Sequence, residues 1–200
     1  DFNNIIKNLS LSQKDIEIKK FYLDSFIIRG FPNRKEEDWK FSDINQIIKK
    51  NIGELSFYND YTSTNKVDTS VFVDGLEHNK IVFINGRIEK IDFDYEKKDQ
   101  IEIIDQSKTI NKLNNNSLSD LNNAFTNKSF KILVKQDYQL VKPLIIYHTT
   151  NSKIWSKNIN LRLDFELGKD SSLRLIDLFN DTSEKNFLNI FYNFNLKENA

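Results

Sequence analysis

Side chains suited to chemistry are concentrated in the stretch FPNRKEEDWKFSD, residues 31–43, where a tryptophan lies among seven charged residues. Acid/base catalysis, an anion clamp, a solvated linker and a structural anchor are all compatible with this composition. An anion clamp requires several converging cations, and Glu36, Glu37 and Asp38 offset the positive charge here. The composition therefore disfavours an anion site.

The order of residues in the same stretch favours an anchor. Asn33 is followed three residues later by Glu36, a spacing that matches a capping box and predicts a short helical turn over residues 34–39. Three aromatic side chains are expected to bury together beside this turn: Phe31, Trp39 and Phe41. We interpret the stretch as a structural anchor, with a partner contact as the second interpretation and catalysis as the third.

The two histidines give no indication of a metal site. His78 lies in the polar turn GLEHNK and is expected to be solvated, whereas His148 ends the strand-like run IIYHTT and could face either side. Neither has a second His or a Cys at a spacing typical of metal ligands. The sequence contains no cysteine, which removes thiol nucleophiles and thiolate-bound metals. No metal-binding residue is predicted.

Two pairs of carboxylates occur at strand spacing. Asp92 and Asp94 alternate in IDFDYE, and Asp164 and Glu166 alternate in LDFELG, so each pair is predicted to share a sheet face and point into solvent. Catalytic carboxylates need a cleft that perturbs their pKa values. The sequence also lacks a Gly-rich phosphate loop and a G-x-S-x-G elbow. No catalytic or cofactor-binding residue is predicted, and we expect that the protein is not an enzyme.

The charge balance restricts the expected partners. Lys plus Arg and Asp plus Glu both number 29, so the net charge is zero. Binding to nucleic acid or to an anionic membrane depends on an excess of cations, so neither partner is expected. The sequence has no apolar run of the roughly 18 residues that a membrane helix needs, and its first residues do not resemble a signal peptide. A cytoplasmic location is expected.

The first two regions of the chain differ in their sequence pattern. Residues 1–55 are predicted to form a helical region, with helices from Asp15 to Arg29 and from Asp43 to Lys50. Residues 56–125 are predicted to form a mixed connecting region of helix and strand. Within it, the Asn85-Gly86 pair predicts a hairpin turn, and NKLNNNSLSDLNN at 111–123 predicts a short helix flanked by loop.

The third region, residues 126–200, contains a repeat. Val134, Leu167 and Leu196 each end an alternating apolar run, and each is followed three residues later by Asp137, Asp170 or Asn199. A strand–corner–strand unit that recurs at about 30 residues is typical of a stacked β-solenoid. The hairpins of a β-sandwich give a similar pattern, so both architectures remain open at this point.

The last repeat is shorter than the others, because it has no second strand after its corner. A solenoid that stops in mid-coil leaves an unpaired strand edge, which is an aggregation hazard. We therefore expect that the parent chain continues beyond Ala200 and that the solenoid start is truncated here.

The charged stretch and its surroundings also resemble a known family. GFPNRKEEDWKFS resembles the signature of SufD proteins, with Asn33 in place of the usual Thr. Three further stretches are similar in the same order: IVFINGRI (81–88), LNNAF (121–125), and VKPLIIYHTT together with LDFELGKDSSLRLIDLF. The residues that match the signature, and that we carry over as a structural motif, are Gly30, Pro32, Arg34, Lys35, Glu37, Trp39, Lys40, Phe41 and Ser42.

The resemblance implies a non-enzymatic scaffold subunit of the Suf system for iron–sulfur cluster assembly. It implies N-terminal helices followed by a right-handed parallel β-helix, so the expected fold class is mainly β with N-terminal helices. It also implies SufB and SufC as partners, mostly through regions beyond residue 200. Cluster assembly is attributed to later β-helix coils, so no cofactor is expected in this fragment.

A second functional interpretation does not depend on this resemblance. The repeats, together with Trp155 in the polar segment NSKIWSKN, are also compatible with an unrelated β-solenoid module that binds a carbohydrate or a protein ligand.

Overall fold

The computed structural model describes residues 2–9, 11–54, 56–58, 65–106, 116–126, 128–151, 154–181 and 185–200. These residues combine helices with two mixed β-sheets. The helices are α1 (Phe2–Asn8), α2 (Gln13–Arg29), α3 (Ile44–Asn51) and α4 (Ser117–Phe125). The strands are β1 (Ser56–Phe57), β2 (Asn79–Ile84), β3 (Arg87–Asp92), β4 (Ile101–Asp105), β5 (Lys128–Val134), β6 (Leu144–Thr150), β7 (Lys157–Leu167), β8 (Leu175–Asp181) and β9 (Phe187–Leu196).

Local caps set the ends of the N-terminal helices. The Ser12 hydroxyl accepts a hydrogen bond from the Asp15 N–H (3.2 Å), and the Asp15 carboxylate accepts one from the Ser12 N–H (3.3 Å), which completes a capping box. Gly30 ends α2 with φ 71°, a value that glycine adopts without steric cost. Asp43 caps α3 through the N–H of Gln46. Both predicted N-terminal helices are confirmed.

The predicted hairpin is also confirmed. β2 and β3 pair antiparallel, with Ile84 opposite Arg87. Asn85 and Gly86, which join them, have φ values of 53° and 78°. Two consecutive positive φ values define the tight turn that matches the twist of a hairpin.

The predictions for the connecting region are tested only in part. The helix expected within residues 111–123 is confirmed as α4, although residues 111–115 lie outside the described part of the chain. The stretch 56–75 before the hairpin is polar, which is typical of a loop, and it likewise includes residues 59–64, which lie outside the described part. β1 and β4 join one sheet, and β2 and β3 join the other. The division into three regions stays a prediction, but the middle region is integrated into both sheets.

The strands of the predicted repeat pair in parallel and in register. β5, β7 and β9 are neighbours in the first sheet, where Val134 pairs with Leu167 and Leu167 pairs with Leu196. β6 and β8 are neighbours in the second sheet. The chain therefore alternates between the two sheets from β5 to β9. Because hairpin-linked strands would be antiparallel, the sandwich alternative does not describe how these five strands pair with one another.

The corners after β5, β7 and β9 share one backbone conformation. Asp137, Asp170 and Asn199 have φ values of 61°, 54° and 58°. Asp and Asn tolerate this left-handed region better than other non-glycine residues do. The N–H of Asp170 donates to the carbonyl of Glu198 (3.0 Å), and the Asn199 amide donates to the Asp170 carboxylate (2.8 Å). The successive corners are therefore stacked on one another.

Gly168 lies where two of these corners approach closely. A Cβ atom at this position would be 2.5 Å from the backbone nitrogen of Gln136, a distance that no side chain can occupy without displacing the neighbouring corner. The absence of a side chain is thus a requirement of the stacking itself.

The main hydrophobic core lies between the two sheets. Alternate residues of β5 and β7 face alternate residues of β2 and β6 across it, as the two-residue period of a strand requires. Its buried members are Ile81, Phe83, Phe130, Ile132, Val134, Tyr138, Leu140, Leu144, Ile146, Leu161, Leu163, Phe165 and Leu167.

Helix α4 packs between α2 and the first sheet and carries several buried polar contacts. The Lys19 amine donates to the carbonyls of Asn123 (3.1 Å) and Thr126 (2.5 Å) at the C-terminal end of α4, where the helix dipole favours a cation. Burial lowers the pKa of Lys19 to about 8, against the opposing charge of Asp15. None of the helices in the described residues is both long and apolar enough to cross a membrane.

Glu96 attaches the loop after β3 to the corner before β6. One carboxylate oxygen accepts from the Asn79 amide (2.6 Å) and the Lys142 N–H (3.1 Å), and the other accepts from the Tyr138 hydroxyl (2.7 Å) and the Val141 N–H (3.1 Å). Burial has the largest single effect on the pKa of Glu96 and raises it, but the hydrogen bonds lower the pKa and together outweigh burial. The pKa of Glu96 therefore lies below its ordinary value.

The parallel register can be tested by cross-linking. Gln139 and Ser172 form a parallel bridge between two stacked corners, and both are exposed. In the double variant Gln139→Cys with Ser172→Cys, we expect a disulfide under mild oxidation, because adjacent strands at about 4.8 Å bring the Cα atoms within bonding range. The native sequence has no cysteine, so thiol titration measures this bond alone. Gln139→Cys with Arg174→Cys is the control, and equal cross-linking in both would contradict the register.

The role of Glu96 predicts acid sensitivity. Because its folded pKa is below the ordinary value of 4.5, its contribution to the free energy of unfolding is complete above that pH and is lost as the pH falls through the folded pKa. We expect Glu96→Gln to lower stability at neutral pH and to weaken the dependence of stability on pH below about 4.5, as measured by urea denaturation. Glu198→Gln, at an exposed ion pair, should behave like the native protein. Identical pH dependence in Glu96→Gln and the native protein would refute this role.

Candidate functional site

The first part of the charged stretch anchors α2. The Gly30 carbonyl accepts a hydrogen bond from the Ser117 hydroxyl at the start of α4, and Pro32 is buried. Phe31 packs edge-on against Phe26 (5.0 Å between ring centroids) and Phe187 (6.1 Å). These contacts join the end of α2 to α4 and to the start of β9.

The turn that follows differs in detail from the predicted capping box. The Glu36 carboxylate accepts from the Asn33 N–H (3.1 Å), as expected. The Asn33 side-chain oxygen instead accepts from the Lys35 N–H (3.0 Å), because the Glu36 N–H already donates to the Asn33 carbonyl (3.0 Å). The segment Glu37–Trp39 forms a single 3-10 turn. Only half of the reciprocal box is therefore present.

The predicted burial of three aromatic rings in this stretch is wrong. Phe41 is 90% exposed, and Trp39 is only half-buried. The Ser42 N–H donates to the Trp39 carbonyl (2.8 Å), and this turn leaves Phe41 on its outer side, where the Lys40 amine lies 5.8 Å from the ring centroid. Phe31 alone of the three reaches the hydrophobic contacts described above. The remaining members of the structural motif, Arg34, Lys35, Glu37 and Lys40, are exposed.

At least one member of each carboxylate pair is engaged by a cation. Asp92 lies 3.5 Å from the Lys80 amine, and Glu166 accepts from the Lys131 amine (2.9 Å). Asp164 was predicted to point into solvent but is 6% exposed. It accepts three hydrogen bonds from the Arg162 guanidinium at 2.9–3.2 Å, which supplies the charge partner that a buried carboxylate requires.

His78 was predicted to be solvated, and this is wrong. It is 2% exposed and lies against Tyr147, whose hydroxyl is 2.7 Å from Nε2. Nδ1 lies 2.6 Å from the Leu76 carbonyl. A carbonyl can only accept, so Nδ1 carries the proton and, in the neutral ring, Nε2 accepts from the tyrosine. Burial is tolerated because both ring nitrogens have partners.

His148 lies in a polar cluster within the core between the sheets. Its Nε2 atom is 2.9 Å from the Tyr192 hydroxyl and 3.0 Å from Oδ1 of Asp177. These residues belong to β6, β9 and β8 respectively, and we call them the His148 cluster. The His148 ring stacks between Phe83 (5.2 Å) and Phe179 (5.0 Å), its neighbours in register on β2 and β8.

The electrostatics of the cluster keep the tyrosine protonated. Burial is the main cause that raises the pKa of Tyr192, and the hydrogen bond and negative charge of Asp177 add to it. His148 is 2% exposed, whereas the side chain of Asp177 is 26% exposed. The cluster therefore lies at the boundary between the core and the surface.

Sequence reasoning missed this cluster, although one signal was present. Asp177 occupies an inward position in the alternating run of β8, between Leu175 and Phe179. A carboxylate in an apolar row is a departure from the pattern of a strand core. Its partners could not be identified from this signal, because they come from two other strands.

The cluster lies beside the free edges of both sheets. In the described residues, no strand pairs with the outer edge of β8 or of β9. Three aromatic or aliphatic side chains near these edges are more than half exposed: Phe179 (60%), Phe194 (51%) and Leu196 (55%). β9 also has no charged residue along its length. The outer edges of β8 and β9 therefore form an apolar surface that is exposed in the described part of the structure.

No protein-family model matches the chain, and no curated protein matches it either. In the described residues, no group of three or more His, Cys, Asp or Glu side chains is arranged to hold a metal ion.

The corrected anchor can be tested with a matched pair of variants. We expect Phe31→Ala to lower the free energy of unfolding by about 2 kcal/mol, because it removes a ring packed against Phe26 and Phe187. Phe41→Ala removes an exposed ring from the same stretch and should change stability by less than about 0.5 kcal/mol. Both values are obtained from urea denaturation followed by far-UV circular dichroism. If Phe41→Ala lowered the free energy of unfolding more than Phe31→Ala does, the result would contradict the exposed position of Phe41 and favour its predicted burial.

Proposed function

We propose that this chain forms the start of a right-handed parallel β-helix and acts as a SufD-like scaffold subunit in iron–sulfur cluster assembly, with SufB and SufC as partners. The observation that carries the proposal is the register of the repeat, in which Val134, Leu167 and Leu196 are laterally paired. Together with the ordered resemblance of four sequence stretches, this register supports a coil that advances by one strand in each sheet per repeat.

The path of the chain supports the coil in a second way. β6 lies in the second sheet and connects β5 to its parallel neighbour β7 in the first sheet. β8 connects β7 to β9 in the same manner. Each connection is a crossover between parallel strands, and such crossovers are right-handed in about 98% of cases. The right hand of the proposed helix follows from this rule.

The stretches that resemble SufD coincide with parts of the structure in which the backbone conformation or the packing restricts the type of residue. Gly30 supplies the positive φ at the end of α2, IVFINGRI contains the hairpin turn, and LNNAF is the half of α4 that contacts Lys19 and the first sheet. This correspondence supports an interpretation in which the shared residues maintain the fold. A scaffold role is consistent with such a distribution, since it depends on surfaces rather than on a reactive side chain.

The unrelated binding module remains the alternative, and one observation favours it. Trp155 is 55% exposed, as an aromatic platform for a sugar ring would be. The Lys185 amine lies 4.9 Å from the centroid of the same ring and occupies a face that a sugar would need. This contact weakens the alternative relative to the scaffold.

Co-purification tests the scaffold proposal. The product of the intact gene, carrying an affinity tag, is co-expressed with SufB and SufC from the same organism. We expect both proteins to be retained with it through size-exclusion chromatography. SufB and SufC expressed without the tagged protein serve as the background control.

Two outcomes would contradict the proposal. One is that SufB and SufC associate with each other while neither is retained by the tagged protein. The other is thermal stabilisation of the protein by a member of a glycan panel, abolished in Trp155→Ala, without retention of SufB. That second result would favour the binding module.

A further inference from the structure

The His148 cluster contains more lone pairs than protons. A neutral imidazole nitrogen carries either one proton or one lone pair. Nε2 of His148 nevertheless lies within 3.0 Å of both the Tyr192 hydroxyl and Oδ1 of Asp177. If Nε2 carries a proton, it can be directed at only one of these oxygens, and the other contact depends on the single proton of the tyrosine hydroxyl. If it carries a lone pair, the tyrosine hydroxyl can donate to it, but the carboxylate then faces a lone pair.

The Asp177 carboxylate is the least satisfied of the three groups, although it also interacts with the Tyr192 hydroxyl. Oδ1 of Asp177 is buried and receives no hydrogen bond from the residues that the structure describes. A buried carboxylate oxygen in this condition is costly. A cation placed among the three atoms would satisfy all of them.

The second histidine provides an internal comparison. His78 also pairs with a tyrosine hydroxyl through Nε2, but its Nδ1 donates to the Leu76 carbonyl, so that, within the described residues, each ring nitrogen has one partner and neither is a carboxylate. That arrangement is a complete hydrogen-bond chain. At His148, in contrast, a single ring nitrogen lies within 3.0 Å of two side-chain oxygens.

The distances within the cluster, which are those of hydrogen bonds, are also compatible with metal coordination. Ligands in adjacent positions of an octahedron with bonds of about 2.1 Å are separated by roughly 3.0 Å. The Nε2–Oδ1 and Nε2–hydroxyl distances are 3.0 Å and 2.9 Å. Imidazole nitrogen combined with carboxylate and phenol oxygen is a ligand set suited to first-row divalent cations.

We propose that His148, Asp177 and Tyr192 form a binding site for one first-row divalent cation, with His148 Nε2 and Asp177 Oδ1 as the principal ligands and the Tyr192 oxygen as the third. The cation joins β6 and β8 of the second sheet to β9 of the first. The cation therefore links the two sheets next to the outer edges of β8 and β9. This site is independent of the proposed scaffold function.

The surroundings of the cluster support such a site. Phe83 and Phe179 hold the imidazole ring from both faces, which fixes the direction of Nε2 before a cation arrives. The partial exposure of Asp177 provides a route from solvent, so water can complete the coordination. The three ligands come from three different strands, which explains why spacing along the sequence did not identify the site.

Cobalt(II) is a suitable probe because it is paramagnetic. The chelator-treated protein is titrated with cobalt chloride by calorimetry, and the histidine ring signals are followed by NMR. Since the sequence has two histidines, the spectrum distinguishes the proposed site from His78 directly. We expect one equivalent to bind, with the His148 signals strongly shifted and those of His78 affected much less. Zinc sulfate should compete for the same site.

Variants then test the assigned ligands. Asp177→Asn keeps the shape of the side chain and should weaken cobalt binding by about tenfold or more, while Tyr192→Phe should weaken it less. His78→Gln is the matched control and should bind as the native protein does. Far-UV circular dichroism of each variant establishes that it is folded, and the NMR shifts in the native protein provide a measurement that requires no variant.

Either of two results would overturn the proposal. Heat of binding without a selective shift of the His148 signals would indicate an adventitious ion only. Equal cobalt affinity in folded Asp177→Asn and in the native protein would exclude the carboxylate as a ligand. In both cases the cluster would be a hydrogen-bonded network within the core.

Discussion

The in-register stacking of successive corners is the constraint on which the two-sheet core depends. Side chains of a strand alternate between its faces, so a shift of one residue in the pairing of β7 would turn its entire apolar row away from the core. The left-handed residues Asp137, Asp170 and Asn199 end the strands at equivalent points, and Gly168 lets the backbones of two corners approach. The stacked corners therefore determine the register of the strands, and the register determines which side chains enter the core.

The helical layer is attached to this core through buried polar groups as well as apolar ones. Asn122 of α4 donates to the carbonyls of Leu161 and Asn189 on neighbouring strands (3.1 and 2.7 Å). Asn189 in turn donates to Asn160, its partner in register (3.0 Å). Such bonds are directional, so they fix where the helix lies along the strands in a way that hydrophobic contact does not. Buried asparagines thus make some of the most specific contacts between the helical layer and the first sheet.

The exposed apolar side chains and the His148 cluster both lie at the outer edges of the two sheets. The outer edges of β8 and β9 expose apolar side chains, and the His148 cluster links these two strands to β6. An exposed strand edge needs rigidity if it is to present a defined surface instead of pairing at random. A polar cluster that connects the two sheets at this position provides that rigidity, whether or not a cation occupies it. The proposed scaffold function and the proposed cation site thus depend on the same part of the fold, although neither requires the other.

The sequence by itself determined the elements whose conformation depends on neighbouring residues. The helices over residues 15–29 and 43–50, the turn at Asn85-Gly86 and the alignment of Val134, Leu167 and Leu196 were all predicted, because helix ends, turns and strand periods are properties of short segments. Only the tertiary structure decided that the repeat strands pair in parallel, that Phe41 is exposed and that His78 is buried. It also brought His148, Asp177 and Tyr192 together from three strands. These outcomes depend on which distant segments cover a side chain, and local sequence patterns carry no information about that.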